Sequence, residues 1–425
     1  MDGNRQTRIL ATLGPATDSV EAIGKLLDAG ANIFRLNMSH APHDWTRTTT
    51  VNIREAAAQR DLVPGILMDL QGPAIRTGDL PEPVELYQGD RFDFTVDPVV
   101  QGERVVGVNY SNFLNDIEVG ATILIDNGLI RMKVLTKTES VAECEVDIGG
   151  TMGSRRHINL PGTKVGLPAL TDKDRKDAAL GLELDVDYMA LSFVREAADV
   201  EELRALIKVC DHPTKVVAKI EDQHAVKRIR RIIRAADAIM VARGDLGVEC
   251  PYEELPIIQR HIVRECLTVG KPVVVATHML ESMINEPHPT RAEVTDVANA
   301  VFEQADAIML SGETSVGNFP TMCVEVMDRI AQRMEQERGA RFHREAKLDD
   351  QRQRLAKSAV RMADDLSAEA IVMFTVSGRM VRQAAWMRPR HAKILALCAD
   401  PRVAGALALH RGVTPVIIDN FCPDF

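Results

Sequence analysis

Lys219-Ile220-Glu221 closes an apolar run that begins at Lys215. Side chains alternate along an extended strand, so Lys219 and Glu221 point one way and Ile220 the other. A charged pair facing the inside of a fold is costly to desolvate unless it binds something, which suits this pair to a charged ligand. A solvated ion pair on an exposed face is the competing reading. Further along, Arg243-Gly244-Asp245-Leu246-Gly247 follows another apolar run. Asp245 standing beside Glu221 would set two carboxylates on neighbouring strand ends, able to hold Mg2+ with water and ligand oxygens completing its shell. Gly244 lets the backbone approach a ligand closely. A short helix starting there would also offer N–H groups to a carboxylate, whereas an ordinary turn is the plainer reading of Gly-Asp. Arg35, Asn37 and Ser39 share one face of FRLNMS, and the arginine fork suits phosphate. Asp69 ends a third run, with Arg76 soon after, and Thr277 and Ser311 end two more. Each alone could be a cap or a turn; six polar strand ends at one face make a site.

Such convergence requires a scaffold that delivers many strand ends to one place. Eight short β-rich runs begin at Arg8, Ala31, Pro64, Asp187, Lys215, Asp237, Lys271 and Asp306. They are apolar on both faces, as buried parallel strands are. Between them lie helix-length segments; those from Val200 and from His224 carry apolar residues at three- and four-residue spacing. Eight strand–helix units predict a (β/α)8 TIM barrel. From Arg76 to Gly162 the texture changes to alternating strands and turns, with a hairpin expected around Asn127-Gly128. This reads as an inserted all-β lid in a loop at the catalytic face. A charged stretch from Gln336 to Leu355 links to a small α/β unit of three helix–strand steps from Ala356 to Asp419. The expected division is a barrel from 1–75 and 163–340, a β-barrel-like lid from 76–162, and a shortened C-terminal α/β domain from 350–425.

Composition narrows the partners. A formal charge of −10 argues against nucleic acid, whose phosphates need a basic surface. No apolar run is long enough for a membrane, and the N-terminus lacks a signal-peptide pattern. The seven cysteines are scattered, without C-x-x-C, and read as free buried thiols of a cytoplasmic protein.

The segments RILATLGPAT, NIFRLNMSH, MDLQGPAIRTG, NLPG, AKIED, IMVARGDLGVE, VATHMLESM and PTRAEVTDVANAVFEQADAIMLSGET resemble pyruvate kinase motifs, in the order that family has them. The resemblance runs from about Arg8 to about Pro415. It implies transfer of the phosphoryl group of phosphoenolpyruvate to ADP, giving pyruvate and ATP, the last step of glycolysis. By resemblance, Glu221 and Asp245 hold Mg2+, with Mn2+ as a substitute. Lys219 stabilises the transferring phosphoryl group and the enolate, and Thr277 lies near the carbon that is protonated. Arg35 is similar to the phosphate-binding arginine. Arg76, His40, Asn37 and Arg156 match the nucleotide side, while the backbone of Gly244 and Asp245 matches the carboxylate site. A homotetramer is the family's usual assembly.

Several positions depart from the pattern. The family's K+ site corresponds to Asn37, Ser39, Asp69 and Leu70. Where the usual motif reads D-T-K-G-P-E, this chain has Asp69-Leu70-Gln71-Gly72-Pro73-Ala74. A carboxylate is lost at Ala74, so weak or absent K+ dependence is expected. The lid carries Arg155-Arg156 and Asp126-Asn127-Gly128 in altered motifs, which bears on how well it clamps the nucleotide. The C-terminal domain stops at Phe425. Its loop Thr375–Arg379 has Val376 where lysine is common, which argues against activation by a sugar bisphosphate, and the shortness of the domain is expected to leave an unpaired sheet edge. Two other readings compete: a pyruvate-lyase aldolase using Mg2+ without nucleotide, and a catalytically weak paralogue that binds a metabolite or stabilises another subunit.

Overall fold

The computed structural model of the chain describes residues 5–100 and 102–418. Eight parallel strands close into a barrel: β1 Arg8–Thr12, β2 Ile33–Asn37, β3 Gly65–Asp69, β4 Tyr188–Leu191, β5 Lys215–Ile220, β6 Ala238–Ala242, β7 Val273–Ala276 and β8 Ala307–Leu310. Each is hydrogen-bonded to its sequence neighbours, and β8 returns to β1. The pleat of β5 behaves as the alternation predicts. Val216, Ala218 and Ile220 pack outward against the helices, whereas Val217 joins the barrel interior. Lys219 and Glu221 continue that inner face at the carboxyl end.

The opposite end of the barrel is plugged from the C-terminal domain. Ala408 and Leu409 pack among Leu10, Ile33, Leu67, Tyr188, Val217 and Met309. Tyr188 donates its hydroxyl to the Ala406 carbonyl. Arg388 forms a buried two-pronged ion pair with Asp306, at 2.8 and 2.7 Å. Glu335 accepts the backbone N–H groups of Gln6 and Thr7 at 2.7 and 2.6 Å, so the floor is sealed by charge as well as by apolar contact.

The inserted segment forms its own apolar cluster around Phe92, Phe94 and Phe113. Its larger sheet has six strands, in the spatial order 158–159, 122–125, 130–137, 141–148, 91–95 and 105–107. The expected hairpin is present: Thr122–Ile125 pairs antiparallel with Ile130–Lys137. Asp126, Asn127 and Gly128 make its turn with φ of 53°, 57° and 85°, a backbone that Asn, Asp and Gly tolerate best. In the C-terminal domain β9 Ala370–Thr375, β10 Lys393–Cys398 and β11 Val413–Ile417 form a parallel sheet with β10 central. Among the described residues β9 is therefore an edge strand, with Val372 exposed.

Four details differ from the sequence reading. The helix expected from His224 is broken at Arg228 into Gln223–Lys227 and Ile229–Ala235. The first C-terminal helix starts at Gln351 rather than near Ala356, because Asp350 caps it by accepting the Arg352 N–H at 2.9 Å. Cys210 is exposed, although the other described cysteines are buried and all six are free. Cys422 and the end of the expected C-terminal unit lie outside the described residues. Among those described, no helix is long and apolar enough to cross a membrane.

Candidate active site

The carboxyl ends of the strands carry a buried row of alternating charge. Arg35, in the middle of β2, donates through Nε to Asp69 at 2.7 Å and through a terminal nitrogen to Thr12 at 3.2 Å. The Lys219 ammonium lies 3.2 Å from Asp69 and 3.0 Å from Glu221, and it donates to the Ser192 hydroxyl at 2.7 Å. Side-chain exposure is 12% for Lys219 and 1% for both carboxylates, so a solvated surface pair is ruled out.

Burial by itself would raise the Asp69 carboxyl, but the Lys219 and Arg35 charges outweigh it and hold the group below its ordinary range. Its Oδ1, although close to Lys219, lacks an aligned hydrogen bond. Lys219 is likewise held charged: burial opposes this, and Asp69 and Glu221 overcome it. Glu221 differs. Burial pushes it up to about 7, Lys219 pulls down, and the neighbouring Asp245 charge pushes up again. One cationic side chain does not balance two adjacent carboxylates.

Asp245 belongs to a short helix, Arg243–Glu249, that begins where β6 ends. The sequence alternative of a plain turn therefore gives way to a helix start. The Gly244 N–H donates to the Thr277 hydroxyl at 2.8 Å, and that hydroxyl donates to the Ala276 carbonyl at 2.6 Å. Thr277 and His278 have φ of 67° and 53°. Two successive left-handed non-glycine residues are strained and need external support. Arg243 provides it, donating to the carbonyls of Ala276 and Thr277 while paired with Asp296 at 2.6 Å.

The nucleotide-side candidates divide into two groups. Arg76 bridges to the lid through its backbone pairing with His157 and donates to the Arg155 carbonyl at 3.1 Å. His40 is exposed just beyond β2, and Asn37 accepts the Ser39 N–H at 3.2 Å. Arg156 stays within the lid, paired to Asp126 at 3.1 Å. Leu70 is 1% exposed, an apolar side chain at the position where the family uses a hydroxyl.

Sequence reading missed Thr12, Ser192, Arg243 and His157. The first two lie at strand ends like the residues it found, so the same polar-terminus signal extended to β1 and β4 would have reached them. His157 faces the Phe193 ring at 6.0 Å between centroids. Burial depresses its pKa, and the Asp245 and Arg76 charges act on it in opposite directions; no local pattern marks it.

Two family models cover most of the chain: the pyruvate kinase barrel domain matches residues 4–324 and the pyruvate kinase alpha/beta domain matches 353–424. The chain belongs to the pyruvate kinase family. It is 43% identical over 422 residues to plastidial pyruvate kinase 3 of Arabidopsis thaliana, covering 98% of this chain and 74% of that one. To the pyruvate kinase of Geobacillus stearothermophilus it is 40% identical over 420 residues, covering 96% and 71%. A crystal structure of a pyruvate kinase from Cryptosporidium parvum superposes with a TM-score of 0.94 at 38% identity, over 98% of this chain and 88% of that one. With pyruvate kinase membership comes the enzyme class, a phosphotransferase with (β/α)8 architecture, and the aldolase reading falls away.

Proposed function

We propose that the barrel-top cluster transfers the phosphoryl group of phosphoenolpyruvate to ADP, with Lys219 as the main charge-stabilising catalytic residue. The observation that carries this is the buried row Arg35, Asp69, Lys219 and Glu221, with Asp245 beside it. With Glu221 ionised, two positive and three negative side chains leave the row one charge negative. A divalent cation would reverse that sign and suit a multiply anionic substrate. Among the described residues no group of three or more His, Cys, Asp or Glu side chains could hold a metal alone. Two carboxylates with water and substrate oxygens is nonetheless an arrangement Mg2+ accepts, and Glu221 and Asp245 fit it. When bound, the ion would neutralise charge on the transferring group and orient the substrate.

The protein's own part is positioning and electrostatics, which dominate phosphoryl transfer. A terminal phosphate oxygen of ADP bonds to phosphorus as the bond from phosphorus to the enol oxygen breaks. Lys219, kept charged by two carboxylates, faces the charge that builds on both. Arg35 holds the phosphoryl oxygens. The enolate then takes a proton at carbon to become pyruvate. Thr277 already gives its hydroxyl hydrogen to Ala276, so an adjacent water is the fitting carrier of that proton. The backbone of Gly244 and Asp245 takes the substrate carboxylate, which requires the Thr277 hydroxyl to release the Gly244 N–H. Arg76, Asn37, His40 and Arg156 belong to the nucleotide side, under a lid formed by residues 76–162. K+ is not required: Leu70 is apolar, and Arg35 and Lys219 already neutralise Asp69. The working form is a cytoplasmic homo-oligomer.

The test is pyruvate formation from phosphoenolpyruvate and ADP with Mg2+, comparing wild type and Lys219→Met. Loss of one preorganised charge donor should lower kcat by about 10²–10³-fold or more. Near-normal kcat in a folded Lys219→Met protein would overturn the assignment.

A further inference from the structure

A second site lies at the other end of the barrel. There a cavity of about 820 Å3 opens between the end of the helix Pro320–Glu335, the linker 336–348 and the C-terminal domain. Its volume is in the range of small-molecule sites. Arg338, Arg341 and Arg344 of the linker line it, together with Lys357 and Arg390 of the C-terminal domain. Among the described residues none of these five has a carboxylate partner. The acidic groups in the wall are already engaged: Glu335 pairs with Arg411, Asp365 with Arg361 and Glu337 with Arg333, and Asp364 accepts the Arg390 backbone N–H. The wall is therefore a surplus of cations around an open space.

Two further observations point to a ligand. Arg388 and Arg411 line the same cavity with side chains only 3% and 6% exposed, and each leaves its buried Nε without a partner. Unmet buried donors are costly unless something accepts from them. The linker also sets Arg341 close to other cations of the wall. Burial lowers the proton affinity of Arg341, and the nearby Arg344, Arg390 and Arg338 charges lower it further. Like charges crowded in this way repel one another until an anion enters.

We infer that this cavity binds a small phosphorylated metabolite, its phosphate held by Arg341, Arg344 and Arg390. Guanidinium forks match phosphate oxygens in paired, charge-assisted hydrogen bonds. The site is separate from the catalytic cluster and from the Thr375–Arg379 loop, since none of those residues lines it. A ligand here would bridge the linker to the C-terminal domain and tighten the docking of that domain on the barrel floor.

The test is calorimetric titration of the full chain in Mg2+-free buffer, with pyrophosphate and glucose 6-phosphate as probes and citrate as a polyanion without phosphorus. Three proteins are compared: wild type, Arg35→Ala to remove the catalytic phosphate holder, and the double variant Arg341→Gln/Arg390→Gln. Saturable binding should persist in Arg35→Ala. It should weaken by about tenfold or more in the double variant, because charged hydrogen bonds are lost, while kcat is unchanged. Should the double variant fail to fold, the exposed single changes Arg344→Gln and Lys357→Gln provide the same comparison. Binding that survives the arginine changes, or that vanishes with Arg35→Ala, overturns the site. No binding of either phosphorylated probe at millimolar concentration also overturns it. Citrate binding as tightly as the phosphorylated probes overturns the phosphate assignment.

Discussion

Replacing Gly244 by alanine separates folding from catalysis at one atom. A Cβ at this position would lie 3.5 Å from the Thr277 hydroxyl oxygen and 3.8 Å from His278 Cε1, ordinary contact distances. Gly244 is the second residue of the helix Arg243–Glu249 and is not at a positive φ. Alanine there should leave the fold intact, or stabilise it by up to about 1 kcal/mol through lower backbone entropy in the unfolded chain. The substrate should fare differently. If the Gly244 and Asp245 backbone holds the phosphoenolpyruvate carboxylate, the new methyl occupies space the ligand needs. Overpacking of that kind costs about 1–3 kcal/mol, or about 5- to 150-fold in kcat/KM. Steady-state pyruvate formation, with phosphoenolpyruvate varied at saturating ADP, should show that loss mainly as a raised KM for phosphoenolpyruvate. The KM for ADP should change little, and thermal unfolding should be no earlier than in wild type. An unchanged KM for phosphoenolpyruvate in a normally folded variant would refute the carboxylate assignment. A large fall in Tm would show instead that the glycine serves the fold.

Three further outcomes are expected. Asp306→Asn breaks the buried ion pair with Arg388 and weakens acceptance of the Val273 and Arg411 N–H groups. The cost should be about 3–5 kcal/mol. Fluorescence of Trp386, whose indole N–H bonds the Leu267 carbonyl of the barrel, should report earlier urea unfolding of this junction; an unshifted midpoint would count against the pair as an anchor. Burial drives the His410 pKa down to about 3, with Arg382, Arg388 and Arg8 adding to the effect against Asp306. The unfolded chain titrates near 6.5, so it binds the proton first. The stability is fully present above 6.5 and drains away as pH falls toward 3, at up to about 1.4 kcal/mol per pH unit; in Tm scans from pH 8 to 4, His410→Gln should flatten that acid limb, and an equally steep limb would exclude this histidine as the cause. Replacing K+ by tetramethylammonium should leave turnover within about twofold, less than half a kcal/mol of barrier, and strong K+ activation would contradict the reading of Leu70 and Ala74.

Much of the site could be read from local pattern. The inward face of Lys219 and Glu221 follows from the two-residue period of a strand, and the barrel confirms it through Val217 inside and Ile220 outside. The polar ends at Asp69 and Thr277 were visible because each stops an apolar run, and Arg35 because it shares a strand face with Asn37 and Ser39. Arg243 was given no role because that role depends on a carbonyl at Thr277, far along the chain. Helix boundaries slipped for similar reasons. The run from His224 keeps its apolar spacing across Arg228, yet the backbone turns there, with φ of −108° and ψ of 10°.

Residue order alone thus determined the barrel's strand count, the inserted β segment, the chemical character of the strand ends and the family. These depend on spacing between neighbours, which the chain carries locally. Which charges meet depended on closure of the barrel. Asp69 neutralised from both sides, Glu221 burdened by Asp245, and five arginine and lysine side chains left around one cavity are properties of distances between remote segments. Burial decides their sign and strength, because a charge withdrawn from water responds to its few nearest neighbours and little else.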